Sequence, residues 1–239
     1  MRIKRKSNKS FNTRVIEALQ ITAEKKQAKL ALNNGTLSNA ITDSVGLYQI
    51  MPRINQGSGA NGQRNGNEIQ LKKIVLKGFI SIPVASQTAL GGGEFLGRIM
   101  ILRSREFSAN QVIFDPTSNF DYTSLMEYNQ PYIGSPNNWL QSVNKNGFIS
   151  RRDKRMRFHT QTNTQGNNTA PPNPDSIRFF SITITFGKQG KKLHYNSSTT
   201  SQTEDFPYFM CAAVATPTGI AVGGGAKLSY YSIAHYTDL

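Results

Sequence analysis

The sequence predicts an all-β sandwich preceded by a basic N-terminal arm and one N-terminal helix. Three observations carry that prediction. Between residues 67 and 239, apolar residues alternate with polar ones in short segments separated by Gly-, Asn-, Ser- and Pro-rich loops, and helical periodicity does not return. Ten prolines and twenty glycines suit a turn-rich chain better than a helical bundle. The 28 Lys and Arg outnumber the 14 Asp and Glu, and residues 1–30, with nine basic and two acidic side chains, hold +7 of the +14 excess. A charge this concentrated implies a polyanionic partner.

Met1–Ser10 is half Lys and Arg and has no apolar periodicity, so it is predicted to stay disordered until it meets an anion. Asn12 is a cap candidate, no Gly or Pro interrupts Thr13–Leu32, and Asn33-Asn34-Gly35 supplies a stop, which together predict a helix. Thr36–Gly66, dense in Gly, Asn, Ser and Gln, reads as a polar linker. The domains expected are therefore a basic arm and helix over 1–35, a linker over 36–66 and a sandwich over 67–239.

Within the sandwich, Ile69–Pro83 changes its apolar parity between Leu71 and Ile74, which places a β-bulge near Lys72-Lys73. Leu96–Arg105 and Phe148–Thr160 follow as strands. In Ile177–Phe186, Phe180, Ile182, Ile184 and Phe186 share one face and Ser181, Thr183 and Thr185 the other, the pattern of a half-buried strand. Phe206–Ala215 and Lys227–Tyr236 supply the last two. Phe107–Gly147, Gln161–Ser176 and Gly187–Asp205 read as long loops.

Two sets of residues are candidate nucleic-acid contacts. The first is Arg2, Lys4, Arg5, Lys6, Lys9, Arg14, Lys25, Lys26 and Lys29, suited to neutralising phosphates; the Met1–Ser10 part also fits a nuclear localisation signal. The second is Arg151, Arg155 and Arg157, which share a strand face with Asp153. That row fits phosphate contact and a ladder of salt bridges around Asp153 equally well. Tyr122, Tyr128, Tyr132 and Trp139 favour subunit contacts over base stacking.

Other chemistry finds little support. Cys211, the single cysteine, lies in an apolar run and reads as a buried small hydrophobe. His159, His194 and His235 stand in separate segments without metal-ligand spacing, so no enzyme activity and no cofactor is expected. Gly57–Gly62 matches G-x-G-x-x-G formally but lacks the strand before it and the helix after it. No 18-residue apolar stretch occurs, so no membrane insertion is expected.

The order of parts, with Ile54-Asn55-Gln56-Gly57 and Arg64-Asn65-Gly66-Asn67-Glu68-Ile69 leading into a long strand, resembles the coat protein of satellite tobacco necrosis virus. It is similar as well to the capsid proteins of circular Rep-encoding single-stranded DNA viruses. Ala234–Leu239 is similar to that family's terminal strand. The resemblance implies an eight-stranded single jelly roll whose first strand follows the motif. It further implies a virion location, an icosahedral T=1 shell of sixty copies of the chain, and a single-stranded genome, DNA favoured over RNA, held inside by the arm. The satellite shell holds calcium between subunits; no ligand set here matches it residue by residue, and metal stays unassigned. A cellular nucleic-acid-binding protein, such as a basic ribosomal component, is the alternative that charge and strand texture leave open.

Overall fold

The computed structural model describes residues 25–57, 62–82, 93–105, 121–160, 176–203, 205–219 and 225–238. Strands β1 (Lys25–Leu37), β11 (Ala226–Asp238), β5 (Glu68–Ser81) and β8 (Ile177–Thr185) form one antiparallel sheet in that order, and β9 (Lys191–His194) also pairs with β5. A second antiparallel sheet has the order β2 (Leu47–Gln49), β10 (Tyr208–Ala215), β6 (Gly93–Ser104) and β7 (Phe148–Thr160). A two-residue parallel pair, β3 (Asn55–Gln56) and β4 (Gln63–Arg64), stands apart from both. Setting β3, β4 and β9 aside and lettering the other eight strands B to I in chain order, the sheets read B-I-D-G and C-H-E-F. That is the strand order of a jelly roll.

The period-two patterns bury what they were read to bury. Ile74, Leu76 and Ile80 of β5 and Phe180, Ile182 and Ile184 of β8 meet Phe95, Ile99 and Ile101 of β6 in the core between the sheets. Each such side chain contributes roughly 1.5–3 kcal/mol when fully buried. β10 is buried along its whole length. Its Tyr208, Met210, Ala212 and Val214 enter the main core, while Phe209, Cys211 and Ala213 enter a second cluster with Met100 and Leu102 of β6. That second cluster is roofed by the connection between β6 and β7, through Leu125, Met126, Tyr132 and Val143. In this roof sits a one-turn helix, α1 (Pro136–Leu140), with Pro at its start and the Ser135 hydroxyl accepting from the Asn138 N–H.

The expected bulge is present: His235 pairs with Lys73 and Tyr236 with Leu71, leaving Lys72 as the extra residue. Three expectations are corrected. Residues 25–32, expected in the helix, are strand, because Ala28, Leu30 and Leu32 alternate toward the core while the backbone of β1 pairs along β11. Pairing to a strand edge some two hundred residues away overrides a helix-forming composition. The first half of that helix and the arm lie outside the described residues. Residues 36–66 are not merely a linker, since they hold β2, β3 and β4, and 187–205 holds β9. The Ile54–Ile69 motif leads into β5, the third of the eight lettered strands, rather than into the first.

The motif's arginine has a structural task. Arg64 is fully buried, its guanidinium lying 4.2 Å over the Tyr195 ring, and it donates to Asn67 Oδ1 (3.0 Å), Ser197 O (2.7 Å), Thr200 O (2.8 Å) and Gly66 O. One side chain thus ties the turn before β5 to the loop after β9.

Candidate nucleic-acid interface

Arg2, Lys4, Arg5, Lys6, Lys9 and Arg14 lie outside the described residues. The remaining candidates fall on two surfaces that do not meet in one site. β1 alternates, so Lys25 and Lys29 project outward from the B-I-D-G sheet while Lys26 turns inward. The Lys26 side chain is 1% exposed, with Nζ 2.7 Å from Asp238 Oδ2 and 3.2 Å from Asn65 Oδ1. A lysine sealed in this way offers no ammonium to a phosphate, which corrects its expected role.

Asp153, Arg155 and Arg157 line one face of β7, but Arg151 does not share it: it is the extra residue of a β-bulge between Ser150 and Arg152 and meets Tyr208 of the main core instead. The Arg151 guanidinium lies over the Tyr208 ring and donates to its hydroxyl at 2.8 Å. Arg155 reaches Asp153 Oδ2 at 3.6 Å and donates to Gln141 O at 3.0 Å. Arg157 lies over Trp139 and 3.5 Å from Glu94 Oε1. The central partner of Asp153 carries no mark in the sequence. Arg98 of β6, fully buried, grips Asp153 bidentately (Nε to Oδ1 2.9 Å, Nη2 to Oδ2 2.6 Å) and donates Nη1 to Asn138 O at 2.5 Å. The Trp139 indole N–H donates to Gly97 O at 3.0 Å. The contacts that Arg98, Arg155 and Arg157 make with Asn138, Gln141 and Trp139 clamp the roof of the second cluster to the sheet.

The outward face of the B-I-D-G sheet is different. Its four strands carry seven lysines and one arginine against two carboxylates, Glu68 and Asp238. Asp238 is held by Lys26 and Glu68 by Lys192 (2.7 Å) and His194 (3.0 Å). The Lys192 hydrogen bond, first among its causes, pulls the Glu68 carboxyl below its ordinary value. Cross-strand pairing sets out the rows: Gln27, His235, Lys73 and Thr185, then Lys29, Ile233, Val75 and Thr183, then Ala31, Tyr231, Lys77 and Ser181. Lys29, Lys73 and Lys77 are exposed and form no ion pair among the described residues.

Toward the start of β1 this face dips into a hollow lined by Lys25, Gln27, Lys72, Lys73, His235 and Thr237. Desolvation, then the charge of Lys73, pushes the His235 imidazole below its ordinary value. Desolvation also lowers Lys72, whose Nζ donates to Gln189 O at 3.0 Å. Beyond the lysines, Phe79 and Phe179 pack at 5.7 Å between centroids, with Phe179 74% and Tyr231 44% exposed. Among the described residues, no group of three or more His, Cys, Asp or Glu is placed to hold a metal ion.

The chain matches no protein-family model and no curated protein sequence. Solved structures similar to it include the virus-like particle of the giant freshwater prawn Macrobrachium rosenbergii nodavirus, at 8% identity and TM-score 0.31, covering 90% of this chain and 96% of that one. Merkel cell polyomavirus VP1, in complex with GD1a oligosaccharide, gives 10% identity and TM-score 0.24 over 90% and 96%. VP1 of Trichodysplasia spinulosa-associated polyomavirus gives 10% and 0.19 over 89% and 94%. At these scores the likeness adds nothing to the strand order, on which the jelly roll rests.

Proposed function

We propose that this chain is a viral coat protein that assembles with copies of itself into a closed icosahedral shell and packages a single-stranded genome through its basic N-terminal segment. The observation that carries this reading is the joining of two features that function separately elsewhere. A complete B-I-D-G and C-H-E-F jelly roll is a wall-building unit found in capsids and also in lectins and cupins. Half of the chain's net charge precedes or opens its first strand, which a lectin or enzyme would leave without a use.

Arg2, Lys4, Arg5, Lys6, Lys9 and Arg14 are the arm's phosphate contacts in this reading, with Lys25 and Lys29 continuing them onto β1. The exposed Tyr128, Ile133 and Leu140 of the β6–β7 roof suit contacts between subunits, which concentrate aromatic and apolar anchors. A shell of sixty copies and a DNA genome follow from the family resemblance. Residues 1–24 carry six basic and two acidic side chains, and with Lys25 and Lys29 beside them sixty copies would present on the order of 360 positive charges, a scale fitting a small genome.

The test is removal of residues 1–24, which stops short of β1. The truncated chain is expected to fold and to protect much less nucleic acid from nuclease than the full chain. Undiminished protection would overturn the arm's role.

A further inference from the structure

We infer that the outward face of the B-I-D-G sheet is a second polynucleotide-binding surface, with the hollow at Lys25, Lys72, Lys73 and His235 seating a backbone phosphate. This rests on the packaging reading above and deepens it by naming the wall that meets the genome. Four features carry it. The face is cationic, and the sheet's two carboxylates are already held by Lys26, Lys192 and His194. A solubilising surface mixes both signs; this one does not. Its charges are spread rather than clustered: Lys73 and Lys77 stand ~14 Å apart along β5, and Lys29 lies two strands, ~10 Å, to the side. That spacing follows a chain of phosphates better than a single compact anion.

Tyr231 and the Phe79–Phe179 pair offer flat apolar rings beside the lysines, which a single strand uses for stacking without reading sequence. Finally, the chain enters this sheet at Lys25, on the rim of the hollow, so the arm and the face are tethered to act on the same polyanion. The hollow's imidazole, depressed by burial and then by Lys73, gains a proton more readily once a phosphate sits beside it.

The experiment compares full-length wild type with K29Q/K73Q/K77Q, with the charge-matched surface control K145Q/R152Q/K188Q, and with an arm variant in which Arg2, Lys4, Arg5, Lys6 and Lys9 are all Gln. Each is titrated with a fluorescent oligothymidine across a salt series. Losing three phosphate contacts should lower the slope of log K against log salt by about 2 and weaken binding at least tenfold at low salt, with the control near wild type. An unchanged face variant beside a weakened arm variant would overturn this inference and leave the packaging reading standing. No binding by wild type would overturn both. Equal losses in face variant and control would show charge without a surface, and loss of binding to phosphatidylserine vesicles alone would assign the face to a membrane; either result sinks the proposal. If the face variant does not fold, photocrosslinking of bromodeoxyuridine oligonucleotide to wild type decides: adducts at Tyr231 or Phe179 support the surface, and their absence beside arm adducts refutes it.

Discussion

Replacing Asp153 by Ala strands the Arg98 guanidinium in the interior. Arg98 is fully buried, and two of its three strong hydrogen bonds go to that carboxylate; Asn138 O keeps the third. Removing one partner of a buried ion pair costs about 3–5 kcal/mol, because the remaining charge is left without compensation. The Asp153 side chain is 25% exposed, so water can enter where it stood, and the lower end, about 3 kcal/mol, is expected here. For a chain of this length that is a fall in melting temperature of roughly 6–12 °C. Trp139, the single tryptophan, is stacked by Arg157 in the same roof, so its fluorescence during urea unfolding reads the loss directly. Adding Arg98→Met to Asp153→Ala removes the stranded charge and should restore part of the stability. A loss below about 1 kcal/mol for Asp153→Ala, or a double variant weaker than the single, would refute the assignment of Arg98–Asp153 as the roof's anchor.

Arg64→Ala should cost about 3 kcal/mol and speed proteolysis between Asn196 and Thr203, because four acceptors around the motif lose their donor; unchanged cleavage there would contradict the staple. Burial pushes the Cys211 thiol far up, so the native protein should react with a disulfide reagent only after denaturation, and stoichiometric reaction within minutes would place Cys211 elsewhere. His235 should titrate below the ordinary histidine value by NMR and move upward in Lys73→Gln. Since its folded value lies below its unfolded one, its contribution to stability is intact above the unfolded value and is lost as pH falls through the folded one. An upward-shifted His235 would reverse that sign.

Much of the fold was legible because it rests on local pattern. The parity change at Leu71 and Ile74 located the bulge at Lys72, and the alternation of Phe180, Ile182 and Ile184 fixed the inward face of β8. The apolar run around Cys211 marked a strand with a buried cysteine, and the structure buries that strand along its whole length. β1 was not legible, because Ala28, Leu30 and Leu32 make a brief alternation inside a stretch of strong helix formers, and what turns it into a strand is the edge of β11. Which lysines share a face was not legible for the same reason. Lys26, Lys29, Lys73 and Lys77 look alike in sequence, yet pairing and parity seal the first and bring the other three onto one face. Arg98 reads as a surface arginine in a strand until a connection forty residues downstream covers it.

The central claim is that this jelly roll closes around nucleic acid, and the direct measurement is the mass and absorbance of the purified full-length chain after nuclease treatment. Sixty chains of 26.5 kDa predict a particle of about 1.6 MDa, before its cargo is added, with absorbance at 260 nm that nuclease does not remove. A 26.5 kDa species without nucleic acid, at every salt and pH tried, would contradict it.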